Sequence, residues 1–144
     1  MPDQDAPLAL VVEDETLLGL LVEHVLAAKG FRILHASTKA EAAQHAETAC
    51  LDLAIVNLWL HGELAGQQVI RELRSRFPRL PVVVISGFSF DSPEANLRGL
   101  GGPTVRLGKP EGYSAMASTV RAIMDRARAG DADIPRRRLT DAGA

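Results

Sequence analysis

Residues 8–15, Leu-Ala-Leu-Val-Val-Glu-Asp-Glu, join an unbroken apolar run to an acidic cluster. An apolar run with a β-branched end is typical of a strand that is buried on both faces. Residues 15–29 then repeat apolar side chains at spacings of three and four, with Gly30 placed as a C-terminal cap, which predicts an amphipathic helix. The expected buried face of this helix is Leu17, Leu18, Leu21, Val22, Val25 and Leu26.

The same strand and helix unit recurs along the chain. Strands are predicted at 31–36, 51–56, 81–85 and 104–107, and helices at 39–49, 67–77, 92–100 and 111–129. The last helix is expected to bury Met116, Val120, Ile123 and Met124. Because right-handed crossovers return the chain in one direction, the pattern predicts an α/β fold with a parallel sheet covered by helices on both sides. A single domain at 8–129 is thus flanked by an N-terminal arm, 1–7, and a disordered or loosely packed tail, 130–144.

The composition narrows the class of protein. A chain of 144 residues with 47% apolar residues can bury a hydrophobic core without covalent staples. Its 16 basic and 18 acidic residues argue against a general nucleic-acid surface. Cys50, the single cysteine, has no intramolecular disulfide partner and is expected to be a small buried residue. With neither a secretory leader nor a long apolar segment in the sequence, we expect a cytoplasmic protein without a membrane span.

Residues with useful chemistry stand at the C-terminal ends of the predicted strands. Glu13 and Asp14 follow the first strand, Asn57 the third, Ser86 the fourth and Lys109 the fifth. Ligand sites of parallel sheets lie at this edge. Adjacent carboxylates suit Mg²⁺, which favours carboxylate, water and phosphate oxygens, and a hydroxyl and an ammonium suit a phosphoryl group. The pattern indicates a phosphoryl site in which Asn57 occupies the place of an acidic acceptor.

These residues carry a resemblance to a known family. Over residues 8–129 the chain resembles the receiver domains of bacterial two-component response regulators, of the single-domain type found in chemotaxis. The acidic pair at 13–14, the strand 52–57, Ser86-Gly87 and Lys109-Pro110 match the family's motifs in order. The resemblance implies a doubly wound (βα)₅ flavodoxin-like three-layer sandwich, with five parallel strands in the order 2-1-3-4-5.

The resemblance also implies a function. A receiver is not an enzyme with its own substrate; it accepts a phosphoryl group at position 57 from a sensor histidine kinase or a phosphotransfer protein. Mg²⁺ would be held by Glu13, Asp14, the side chain of Asn57 and the backbone carbonyl of Trp59, and Ser86 and Lys109 would contact the phosphoryl group.

Signal output is expected through a partner protein. The implied surface combines the helix at 92–100, the last strand and the final helix, and a homodimer could use the same surface. The segment after the final helix is expected to be too short for a DNA-binding module, so output is expected through a partner protein or onward phosphotransfer. Neither nucleic acid nor a membrane is an expected partner.

Position 57 departs from the family. An amide is not an ionised nucleophile and cannot form the acyl phosphate, and the loss of one negative charge predicts weaker Mg²⁺ binding. Asn57 is either an engineered substitution in a stand-alone phosphorelay receiver or the native residue of a phosphorylation-independent interaction module. Arg106 stands where the family usually has an aromatic residue, and His61 where it usually has proline. A flavodoxin-like cofactor binder is disfavoured because residues 13–15 would repel a phosphate.

Overall fold

The computed structural model describes residues 6–86, 100–108 and 115–129. Their elements are β1 (Leu8–Val12), α1 (Thr16–Ala28), β2 (Arg32–Ala36), α2 (Lys39–Thr48), β3 (Leu53–Asn57), β4 (Trp59–Leu60), β5 (Glu63–Leu64), α3 (Gly66–Arg76), β6 (Val82–Ser86), β7 (Thr104–Gly108) and α4 (Met116–Arg128). Most of the predicted N-terminal arm, the helix expected at 92–100 and the tail 130–144 lie outside the described residues. None of the helices in these ranges is long and apolar enough to cross a membrane.

Five strands form one parallel sheet in the order β2-β1-β3-β6-β7. This confirms the predicted order 2-1-3-4-5, since β4 and β5 belong to a separate hairpin. In register, Val12 lies opposite Val56, and Asn57 lies opposite Ile85. The C-terminal ends of β1, β3 and β6 therefore meet at one edge of the sheet.

The sheet has a hydrophobic core on each face because successive strand residues point to opposite sides. Leu10 and Val12 of β1 pack with α2 and α3, whereas Ala9 and Val11 pack with α1 and α4. Every described side chain of β1 and β3 is buried, as expected for central strands covered on both faces. The result is the expected three-layer sandwich.

The predicted buried face of α1 is wrong in part. Val22 and Leu26 are buried, but Leu17 is 81% exposed and Leu21 is 43% exposed. Leucines occur on several sides of this helix, so periodicity alone did not select the side that contacts the sheet. The prediction for α4 fares better, because Met116, Val120 and Ile123 are buried and Met124 packs against the same core. Cys50 is exposed, which contradicts its expected burial.

A two-stranded hairpin follows β3 and was not predicted. Strand β4 pairs antiparallel with β5, so that Trp59 lies opposite Leu64. The two turn residues, His61 and Gly62, have φ values of 51° and 76°. Positive φ at both central residues is the mark of the tight turn that matches the twist of paired strands. The hairpin therefore begins beside Asn57, directly at the edge where the polar residues meet.

Arg74 in α3 is a buried arginine that forms hydrogen bonds with segments distant in the sequence. Its guanidinium donates to the backbone oxygens of Leu80, Leu100 and Pro103 and to the hydroxyl of Thr104 at 2.7–3.1 Å. The side chain is 8% exposed in total. Arg74 thus fixes the start of β7 against the end of α3.

Candidate functional site

The centre of the site is a hydrogen bond between the ends of β1 and β3. Nδ2 of Asn57 donates to Oε2 of Glu13 at 2.8 Å. Both residues are buried, with exposures of 4% and 3%. Buried carboxylates need donors to replace the lost water, and the amide supplies one here.

The remaining bonds of Asn57 and Glu13 also stay within the site. Oδ1 of Asn57 accepts from the backbone N–H of Trp59 at 3.1 Å. The backbone N–H of Glu15 approaches the same Oε2 atom of Glu13 at 3.3 Å. The orientation of the Asn57 amide is therefore set at both ends, with nitrogen toward the carboxylate and oxygen toward the hairpin.

Asp14 contacts the hairpin instead of Asn57. Its Oδ2 accepts from the backbone N–H of His61 at 2.8 Å. The left-handed conformation of His61 belongs to the tight turn, so the turn geometry and this hydrogen bond support each other. His61, which stands where the family usually has proline, thus lines the rim of the site with its backbone.

Two further residues shape the site and were not singled out from the sequence. Nε2 of His35, on the neighbouring strand β2, lies 2.9 Å from the backbone oxygen of Glu13. Gly66 begins α3 so close to β3 that an added Cβ would lie 2.5 Å from Cα of Leu58 and 2.8 Å from the backbone oxygen of Asn57. Strand spacing reveals neither contact, because both depend on how β2 and α3 pack against the site.

The other predicted site residues are only partly described. Ser86 ends β6 and pairs in register with Gly108 of β7, so its backbone lies at the same edge as Asn57. Lys109 follows directly in the sequence and lies outside the described residues. Arg106, in place of the usual aromatic residue, lies in β7 opposite Val84. The structure thus brings together Glu13, Asn57 and the hairpin, with Asp14 bound at its turn.

The oxygen atoms at this edge of the sheet are suitable ligands for a divalent cation, but the hydrogen bonds that they accept compete with cation binding. The carboxylates of Glu13 and Asp14 and the carbonyl oxygen of Asn57 are the hard oxygens that Mg²⁺ prefers. The amide N–H of Asn57, however, occupies Oε2 of Glu13. No cluster of three or more acidic, histidine or cysteine side chains suited to a metal occurs in the part of the chain that the structure describes.

The fold and the residues at the C-terminal edge of the sheet define the class of protein: a doubly wound α/β domain with acidic residues at the ends of its central strands. The family model for the response regulator receiver domain matches residues 9–101, more than half of the chain. The chain therefore belongs to the response regulator receiver domain family, which works in two-component signalling.

Curated relatives agree with this assignment. The chain is 30% identical to the response regulator RppA of Synechocystis over 120 residues, which cover 81% of this chain and 50% of that protein. It is 28% identical over 79 residues to a putative NtrX-like response regulator of Rickettsia bellii, covering 54% of this chain and 16% of that protein. The chain thus spans half or less of the length of these relatives.

Solved structures show the same fold. A CheY-like receiver domain protein from Methanospirillum hungatei superposes with a TM-score of 0.76 at 17% identity, covering 86% of this chain and 98% of that one. The receiver domain of the sensor histidine kinase PA1611 from Pseudomonas aeruginosa, described with a magnesium ion in its active site cleft, gives a TM-score of 0.70 at 19% identity. That alignment covers 83% of this chain and 98% of the other.

Proposed function

We propose that this chain is a receiver-type binding module of two-component signalling that acts without phosphorylation at position 57. The observation that supports this proposal best is the hydrogen bond from the amide of Asn57 to Glu13. The amide fills the place of the acceptor and satisfies the buried carboxylate beside it. The module acts by binding a partner and not by turning over a substrate.

The chemistry of the amide supports the same conclusion. Acyl phosphate formation needs an ionised carboxylate oxygen that attacks phosphorus while the donor leaves. The nitrogen lone pair of Asn57 is delocalised into its carbonyl group, and its carbonyl oxygen carries no full charge. Oδ1 already accepts from Trp59, and Nδ2 is a donor. Neither atom is a competent nucleophile for a phosphoryl group.

Mg²⁺ binding is weak in this proposal. A cation would draw on Glu13, Asp14, the side-chain oxygen of Asn57 and the backbone carbonyl of Trp59. It would supply positive charge that offsets the acidic cluster. Binding of the cation must displace the Asn57 amide from Oε2 of Glu13. The neutral side-chain oxygen of Asn57 is also a weaker ligand than a charged aspartate carboxylate would be. Ser86 and Lys109, which would contact a phosphoryl group in a phosphorylated receiver, have no such ligand to bind here.

Exposed apolar side chains beside the site support a protein partner. The large hydrophobic side chains exposed in the described ranges are Leu17, Leu20 and Leu21 of α1 and Trp59 of the hairpin. Helix α1 begins where β1 ends, so these leucines start at the same edge of the sheet as Asn57. Grouped exposed apolar residues mark protein interaction sites. The partner class implied by the family is a sensor histidine kinase or a phosphotransfer protein.

A second output surface follows from the family resemblance. It would combine the region around 92–100, β7 and α4 and would contact a downstream protein or a second copy of this chain. The runner-up function, a stand-alone phosphorelay receiver, requires an aspartate at position 57. The two functions therefore differ in whether the unaltered Asn57 form binds its partner, which only the proposed function requires.

The proposal is tested by incubating the protein and its Asn57→Asp variant with acetyl phosphate and Mg²⁺, followed by intact mass spectrometry. We expect the unaltered chain to gain no phosphoryl group and the Asn57→Asp variant to gain one. Asn57→Ala controls for modification elsewhere on the chain. A phosphoryl group on the unaltered protein that is absent from the Asn57→Ala variant would refute the proposal.

A further inference from the structure

A cavity of about 1110 Å³ opens at the end of the sheet opposite Asn57. It lies where β1, β3 and β6 begin, between the C-terminal ends of α1 and α3 and one side of α4. None of the residues of the acidic site lines it. The cavity is therefore separate from the receiver site by the full length of the strands.

The floor of the cavity is apolar. Phe31, Leu51, Leu80 and Val120 line it and are each at least nine-tenths buried. Met124 of α4 also lines it and packs against the core. A floor of this kind suits one inserted apolar side chain, since burial of such a side chain in an apolar pocket is favourable.

The rim of the cavity carries an excess of positive charge. Five basic residues line it, Lys29, Arg76, Arg79, Arg121 and Arg128, against the two acids Asp52 and Asp125. Both acids are already engaged, since Asp52 accepts from the backbone N–H of Leu8 and Asp125 accepts from Arg128. Within the described ranges, neither Lys29 nor Arg121 has an ion-pair partner.

Helix ends explain only part of this charge. Cations are favourable at helix C-termini, and three of the five lie there: Arg76 and Arg128 are in the last turns of α3 and α4, and Lys29 is the C-cap residue of α1. Arg121 lies roughly two turns before the end of α4, beyond the reach of that effect. Arg121 and Lys29 also share the lining of a smaller neighbouring pocket with Asp125, whose carboxylate accepts from Arg128, so the two cations face the same space.

We propose that this cavity binds an acidic peptide segment of a partner protein, with one apolar side chain of the segment on the floor. Carboxylates of the segment would pair with Lys29 and Arg121, the two rim cations that have no ion-pair partner among the described residues. A concave apolar floor favours an inserted side chain over the flat, uniformly charged backbone of a nucleic acid. The site is independent of position 57 and does not rest on the proposed function.

The test uses the full chain and the peptide Asp-Glu-Leu-Asp-Glu, blocked at both ends, with binding followed by NMR chemical shifts. We expect saturable shifts at Met124 and Val120, and at least a tenfold weaker Kd for the double variant Lys29→Gln/Arg121→Gln. Arg71→Gln, an exposed arginine on α3 away from the cavity, is the control and should leave Kd unchanged.

Two further peptides separate the contributions of charge and of the apolar side chain. Asn-Gln-Leu-Asn-Gln lacks the charge and Asp-Glu-Ser-Asp-Glu lacks the apolar side chain, and each should bind at least tenfold more weakly. The charge-reversed variant Lys29→Glu/Arg121→Glu should bind the basic peptide Lys-Lys-Leu-Lys-Lys. Such binding would show that this variant is folded and that its loss of affinity for the acidic peptide comes from the change of charge. Equal binding by the control peptides, no binding at all, or equal binding of a single-stranded oligonucleotide of matched charge would overturn the proposal.

Discussion

The amide nitrogen of Asn57 lies 2.8 Å from a carboxylate oxygen of Glu13 and joins the ends of two neighbouring buried strands. In a site with acidic residues at both positions, the same space would hold two like charges, which a cation would have to offset. Here a neutral donor takes that role. At this edge of the sheet, the Glu13 carboxylate is thus satisfied by a side chain of the protein and not by a cation.

Replacing Asn57 with aspartate should destabilise the protein in the absence of Mg²⁺. Asn57→Asp exchanges a donor for a second buried carboxylate at Glu13, and the lost bond and the repulsion together should cost about 2 kcal/mol of unfolding free energy. Urea unfolding with and without Mg²⁺ measures this, and Mg²⁺ should recover most of the loss. Gln44→Glu also replaces an amide by a carboxylate, but at an exposed position of α2, and it should change the free energy of unfolding only slightly. Equal stability of Asn57→Asp and the unaltered chain would contradict this view of the site.

Gly66 should tolerate no side chain. The Cβ of Gly66→Ala would meet backbone atoms of Leu58 and Asn57, which cannot move as a flexible side chain can. We expect a loss of roughly 3 kcal/mol in urea unfolding. Gly62→Ala is the matched control: its Cβ meets nothing within 4 Å, but its positive φ should still cost about 1 kcal/mol. A Gly66→Ala variant no less stable than Gly62→Ala would show that α3 can shift away from β3.

Arg74 should be essential for stability despite its distance from the site. Arg74→Met keeps an apolar stem but removes the donors to three backbone oxygens and to Thr104, which should cost about 3 kcal/mol. Arg71→Met, at an exposed position of the same helix, should change the unfolding free energy by less than about 0.5 kcal/mol. Equal stability of the two variants would show that the backbone carbonyl groups bound by Arg74 can find other hydrogen-bond donors.

Glu41 should make the stability of α2 depend on pH. The backbone N–H of Ser37, followed by the Ser37 hydroxyl, holds the pKa of Glu41 below its ordinary value of 4.5. A lowered folded pKa stabilises the protein above about pH 4.5, and this contribution is lost as the pH falls through the lowered value. Glu41→Gln should therefore lower Tm at pH 7 but not at a pH below the folded pKa. Glu72→Gln on α3 serves as the control, and a Glu41→Gln effect that is the same at both pH values would refute the prediction.

Sequence patterns predicted the sheet because its central strands are buried on both faces. Continuous apolar runs such as 8–12 and 82–85 have few alternatives to a buried parallel strand. The face of α1 was harder to predict, since leucines surround the helix and only packing against the sheet distinguishes Val22 from Leu17. Burial of Arg74 depends on carbonyl groups up to 29 residues away, which local patterns do not contain.

The position of Glu13 and Asn57 at one edge of the sheet could be predicted from the sequence, but their contact could not. Strand ends placed Glu13 and Asn57 at one edge, and the structure brings them into hydrogen-bond contact. The hairpin at 59–64 was missed because its strands have only two residues each, too few for an alternating pattern. Its turn residues, His61 and Gly62, are the signal that could have revealed it.

A Mg²⁺ titration followed by the fluorescence of Trp59 measures directly whether the Asn57 amide competes with a cation at Glu13. Trp59 is the only tryptophan of the chain, is 45% exposed, and donates its backbone N–H to Asn57. If the Asn57 amide takes the place of a cation at Glu13, Mg²⁺ should change the emission of the Asn57→Asp variant at concentrations at least tenfold lower than it changes that of the unaltered chain. Equal Mg²⁺ affinity of the two proteins would show that the Asn57 amide does not compete with the cation.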